Sequence, residues 1–196
     1  MRLERTKLKN TYWGMRHGFS VPQKLEIINS DPKMGRMIAN GLTIYGREEV
    51  CESAENNSEL DWSTIIVCSD FSRTRQTAEI VASVLCSGWI NATPHLRERY
   101  FGKYEGLSNV NYQIVWNGDK RNPDNHRHEG ESVNDVVTRE LLTIRIAESA
   151  YSGRKILLVS HGDSLQILEC WFRGINPRLH RSLPALKNAE IRRLTV

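Results

Sequence analysis

Four residues of this chain have the right types to grip and attack a phosphoryl group: Arg16, His17, Arg73 and His161. Each lies just past a short apolar run, in a turn that leads toward a helical segment. Residues 11–15 run into Arg16-His17-Gly18, residues 64–68 into Ser69-Asp70-Phe71-Ser72-Arg73, and residues 156–160 into His161-Gly162-Asp163. In open α/β sheets, ligands bind beyond the carboxyl ends of the strands. The three turns therefore predict one cationic pocket holding two imidazoles. A phosphoryl dianion suits that pocket, because arginine forks take its oxygens and helix N-termini add backbone N–H donors. One Arg-His-Gly is weak evidence and one histidine is more often structural. The joint placement at three strand ends carries the argument.

Such a pocket needs alternating strands and helices to build it. After Arg73, the positions Thr77, Ile80, Val81 and Val84 recur at helical spacing. Further helices are expected over 43–55, 131–151 and 164–172, with a short one over 109–116 and a closing edge strand over 190–196. This reads as an α/β fold. No repeat, linker or low-complexity block divides the chain, so residues 1–196 form a single domain. The polar stretch from about 103 to 129 reads as a variable lid or loop region over the site.

Six motifs in order are similar to those of the histidine phosphatase superfamily, on its phosphoglycerate mutase-like branch. Arg16-His17-Gly18 with Ser20 resembles the opening RHGxS, and Leu42-Thr43 with Gly46 resembles LTxxG. Ser69 to Ala78 resembles SxLxRxxQTA around Arg73. Leu96 to Gly102 with Glu105-Gly106 resembles LxExxxGxxEG and places the family's acid at Glu98. Gly130-Glu131-Ser132 resembles a helix-opening GES, and Ser160-His161-Gly162 resembles the closing SHG. The resemblance covers nearly the whole chain.

That resemblance implies a three-layer α/β/α sandwich with a mostly parallel central sheet, and a metal-independent phosphomonoesterase needing no cofactor. His17 would be the nucleophile, forming a phosphohistidine. Arg16, Arg73 and His161 would hold the equatorial oxygens, with Ser20, Gln23 and the Gly162 N–H as further phosphate donors. Glu98 would protonate the leaving oxygen and then take a proton from water. Arg99, next to the acid, is a candidate substrate contact. Gln23 stands where this branch usually has asparagine, and 109–127 lacks the basic insert of the glycolytic mutases. Hydrolysis of a small phosphorylated metabolite is therefore favoured over mutase-type phosphotransfer, and both over a non-catalytic phospholigand-binding module.

Composition agrees with a globular enzyme. The 196 residues are 39% hydrophobic and 26% charged, with a net charge of +4. Basic residues are spread along the chain rather than gathered in a stripe, which argues against a nucleic-acid partner. No run nears the ~20 apolar residues of a membrane span. The charged start, Met1 to Arg5, has no apolar segment behind it, and Cys51, Cys68, Cys86 and Cys170 form no CxxC pair. A cytoplasmic protein is expected; a homo-oligomer stays open. A cysteine phosphatase fails on spacing: five residues must separate Cys from Arg, whereas four separate Cys68 from Arg73 and six separate it from Arg75. No Cys/His set has metal-ligand spacing, and His126-Arg127-His128-Glu129 reads as a loop at the pocket mouth. Trp13, Trp62, Trp89 and Trp171 read as core or surface filler.

Overall fold

A computed structural model describes residues 3–195. Met1, Arg2 and Val196, which fall in the charged start and the expected closing strand, lie outside the described residues. Five strands form one sheet: β1 (Thr11–Arg16), β2 (Ile65–Ser69), β3 (Ile90–Thr93), β4 (Lys155–Ser160) and β5 (Ile191–Arg193), in the order β3-β2-β4-β1-β5. The first four are parallel, and β5 closes the edge antiparallel to β1. The α-helices are α1 (Val21–Lys24), α2 (Pro32–Gly35), α3 (Ile44–Glu55), α4 (Ser72–Leu85), α5 (Tyr112–Asp119), α6 (Val133–Ala150) and α7 (Gly162–Arg173).

Alternation along the buried strands makes the layers. Trp13, Met15, Ile66, Cys68, Leu157 and Val159 point to one face and pack on Val50 and Ala54 of α3 and Ala78 and Val81 of α4. Tyr12, Ile65, Val67, Ile156 and Leu158 point to the other, against Ile144 and Ala147 of α6 and Leu168 and Phe172 of α7. The result is the three-layer α/β/α sandwich. Gly14 belongs in β1 for want of space: a Cβ there would lie 3.1 Å from a Leu165 methyl.

The helices over 43–55 and 131–151 begin at their caps. Thr43 Oγ1 accepts from the Gly46 N–H at 3.0 Å, and Ser132 with Asp135 makes a capping box at α6. The short helix over 109–116 is a 3-10 turn, Asn109–Asn111, running into α5, which continues to Asp119. The edge strand is shorter than 190–196 and pairs Met15 with Ile191 and Trp13 with Arg193. Strand β3 has no apolar run and is mostly exposed, so alternation gave it no signal. Trp13 is buried and donates its indole N–H to Glu59, whereas Trp62 and Trp89 are exposed. Among the described residues no helix is long and apolar enough to cross a membrane, and all four cysteines are free.

Strand β4 lies between β1 and β2, with Arg16 opposite Ser160 and Cys68 opposite Val159. The three reactive turns thus leave one edge of the sheet side by side.

Candidate active site

The turn after β1 fixes His17 first. Its backbone N–H donates to Ser160 O at 3.1 Å. Its Nδ1 lies 2.8 Å from Gly18 O, and a carbonyl only accepts, so Nδ1 carries the proton. Nε2 accepts from Arg73 Nε at 3.1 Å. The ring is therefore neutral, with its lone pair on Nε2. Burial, then Arg73 and Arg16, push its pKa well below the ordinary histidine range.

Arg73 is itself buried and anchored at both ends of its fork. Nη1 donates to Asn29 Oδ1 at 2.8 Å and Nη2 to Asn29 O at 2.9 Å. Burial lowers its pKa to about 10, still charged at neutral pH. Arg16 donates Nη1 to Leu186 O at 2.9 Å, while its Nε is buried without a partner. A Cβ at Gly162 would come within 3.3 Å of the Arg16 guanidinium carbon. Glycine there lets α7 begin against that arginine.

His161 packs edge-on to His17, with ring centroids 5.2 Å apart. Its Nε2 lies 3.0 Å from Ser69 Oγ, and its Nδ1 is buried without a partner. Burial and the neighbouring Arg73 hold its pKa well below normal too. Phe71 lies beneath the cluster, 5.1 Å from the Arg73 guanidinium and 5.2 Å from His161. Glu98 enters from the loop before Gly102. Its Oε1 accepts from the backbone N–H groups of Arg99 (3.0 Å) and Ser164 (3.3 Å). Burial and Asp163 raise its pKa, offset in part by Arg73 and Arg16. A buried carboxyl with a raised pKa is what a general acid requires.

The structure thus brings Arg16, His17, Arg73, Glu98, His161 and Gly162 together. Ser20 is buried nearby, and its Oγ donates to Gln23 Oε1 at 3.1 Å. Two expected contacts are placed otherwise. Gln23 spends its amide within the scaffold: Oε1 accepts from the Ser20 N–H, and Nε2 donates to Asn188 Oδ1 at 3.1 Å. Asn188 in turn donates to His17 O at 3.0 Å. Arg99 is fully buried and forks onto Asp119 at 2.6 and 2.9 Å, with Asp163 at 3.5 Å. Its fork is turned inward and ties the 103–129 region to the body, because Asp119 ends α5. His128 is likewise turned inward, near the Phe101 ring, whereas His126, Arg127 and Glu129 are exposed.

Removing one partner of a buried ion pair strands the other charge. Asp119→Ala is therefore expected to lower the unfolding free energy by about 3–5 kcal/mol, read from urea unfolding. A change within ~0.5 kcal/mol, the size of an ordinary surface substitution, would show that Arg99 does not depend on it.

Asn29, Asn188 and Asp163 had no signal in the sequence beyond being polar. Their partners are 44, 171 and 64 residues away. Among the described residues, no three His, Cys, Asp or Glu side chains gather as a metal site.

Comparison with solved structures gives the same fold. A Bacillus stearothermophilus protein, YhfR, superposes with a TM-score of 0.76 at 22% identity, covering 93% of this chain and 89% of its own. A mycobacterial glucosyl-3-phosphoglycerate phosphatase, solved with VO3, gives 0.73 at 20% identity, over 92% and 90%. In sequence, the chain is 31% identical over 175 residues to a probable phosphoglycerate mutase, GpmB, of Escherichia fergusonii, covering 85% of this chain and 78% of that one. It is 28% identical over 138 residues to the uncharacterized phosphatase PhoE of Bacillus subtilis, covering 70% and 67%. Residues 13–196 match the family pattern as a whole, and the chain belongs to the histidine phosphatase superfamily (branch 1).

Proposed function

We propose that this protein is a metal-independent phosphomonoesterase acting on a small phosphorylated metabolite through a phosphohistidine at His17. The observation that carries the reading is the fixed tautomer of His17, whose Nε2 lone pair faces the Arg73 guanidinium. In the first step Nε2 attacks phosphorus, the P–N bond forms and the P–O bond to the alcohol breaks. Glu98 delivers its proton to the departing oxygen. In the second step water attacks the phosphohistidine, Glu98 takes back a proton, and inorganic phosphate leaves as the P–N bond breaks. Arg16, Arg73, His161 and the Gly162 N–H stabilise the equatorial oxygens in both transition states. The guanidinium charges supply what a metal ion supplies elsewhere. The arriving phosphate must first displace the Arg73 Nε–H from Nε2.

Four free cysteines, two of them buried, support a reducing compartment, the cytoplasm. The reading is tested by p-nitrophenyl phosphate hydrolysis in EDTA from about pH 4 to pH 8. Turnover should survive the chelator. On the acid side it should fall only well below the ordinary histidine range, because His17 stays neutral there. Loss of turnover in EDTA, or an acid limb at the normal histidine pKa, would count against it. Phosphate passed to a second sugar acid instead of water would indicate mutase-type transfer.

A further inference from the structure

The 103–129 region meets the carboxyl-terminal turn at a three-membered stack. Tyr112 and Trp116 lie four residues apart on one side of α5, their rings stacked at 5.3 Å and 13°. The Arg181 guanidinium, in the 3-10 segment Pro177–Ser182, sits over Trp116 at 3.7 Å from the ring centroid. Its Nη1 donates to Gln166 Oε1 and lies 3.9 Å from Asp163 Oδ1. Asp163 follows Gly162, which abuts Arg16, so Arg181 borders the phosphate-binding side chains. Its charge is among those acting on Arg16, and Tyr112 feels Glu98, Arg73 and Arg16. The stack therefore adjoins the charged groups of the site, Glu98 and Arg16 among them.

Arg181 is not needed to neutralise Asp163. That carboxylate already has His180 at 3.1 Å and Arg99 at 3.5 Å, both nearer than Arg181. Stacking on an indole leaves the guanidinium edge free for in-plane hydrogen bonds. Nε and Nη2 of Arg181 make none among the described residues, and the side chain is 27% exposed. The Trp116 Nε1–H beside it is buried without an acceptor. An unpartnered buried donor is costly unless something occupies it. Nε and Nη2 of Arg181 and Nε1 of Trp116 are thus polar groups of one stack with no acceptor among the described residues.

We propose that Arg181, seated on Trp116, reads a second anionic group, a carboxylate or another phosphate, on the alcohol portion of the substrate. The substrates preferred are then phosphomonoesters whose leaving alcohol is itself anionic. This rests on the phosphomonoesterase reading above.

The test compares matched esters in the full chain. 2-Phosphoglycolate against 2-hydroxyethyl phosphate isolates a carboxylate; propane-1,3-diol bisphosphate against its monophosphate isolates a second phosphate. A charge-assisted contact of about 1.5–3 kcal/mol corresponds to about 10- to 100-fold. Arg181→Ala should lower kcat/KM by that factor on the anionic member of at least one pair, mainly through KM, and collapse the ratio within that pair. Arg181→Lys should restore part of it. The pair that responds tells carboxylate from phosphate. Equal losses on both members, or no loss on either, would overturn the proposal. If the wild type turns over no ester, the phosphatase reading fails by itself. Calorimetric Kd values for the members of both pairs, in wild type and Arg181→Ala, then still decide the role of Arg181 by the same ratio.

Discussion

His17→Ala is expected to reduce kcat on p-nitrophenyl phosphate by at least about 10⁴-fold, because removing a covalent nucleophile leaves only binding and electrostatics. The fold should survive. His17 is the first residue past β1, and the strand is held by ladder pairs from Thr11 to Arg16 that do not use its side chain. Its loss also frees Arg73 Nε, but Asn29 keeps both ends of that guanidinium. Circular dichroism and the urea midpoint should therefore stay close to wild type while turnover vanishes. An active His17→Ala protein would mean that water attacks phosphorus directly, with the arginines alone as catalysts.

Glu98→Gln gives the second large effect, one that depends on the substrate. The amide keeps the shape of the side chain and can still accept from the Arg99 and Ser164 N–H groups, but it has no proton to give. For an alkyl phosphate, kcat/KM should drop about 10²- to 10⁴-fold, the usual value of a positioned acid. For p-nitrophenyl phosphate, whose leaving group needs little protonation, kcat/KM should drop less than about ten-fold. The ratio kcat/KM isolates steps up to phosphoryl transfer, so slower hydrolysis of the intermediate does not blur the comparison. Equal losses on both esters would remove Glu98 from the acid role.

Motifs made much of this legible, for reasons the structure explains. Gly18 and Gly46 stand 28 positions apart, yet they meet where the first turn crosses the start of α3. A Cβ on Gly18 would lie 2.3 Å from Gly46 O, and one on Gly46 would lie 2.0 Å from Phe19 O. The glycines of RHG and LTxxG are therefore one steric requirement. Glu105 of the Glu-Gly pair accepts from the Ser30 N–H and hydroxyl at 2.8 and 2.6 Å, fixing the loop that carries Asn29 and, through it, Arg73. Strand ends were readable because buried parallel strands are continuous apolar runs.

What escaped was long-range pairing. Arg99, next to the acid, looks like a substrate contact until Asp119 arrives from α5. Gln23 looks like a phosphate donor until Asn188, 165 positions on, takes its amide. Residue type states what a group can bind, and only the fold decides which partner reaches it first.

The central claim, a phosphoryl group carried by His17, is tested most directly by trapping it. During turnover of p-nitrophenyl phosphate, the protein is quenched in alkali, where phosphohistidine survives, and its intact mass is measured. Glu98→Gln slows the second step and raises the amount trapped. One added phosphoryl mass per chain, mapped by peptide fragmentation to His17 and absent from His17→Ala, is the expected result. An unmodified chain under conditions of steady turnover, or a phosphoryl group on any other residue, would contradict it.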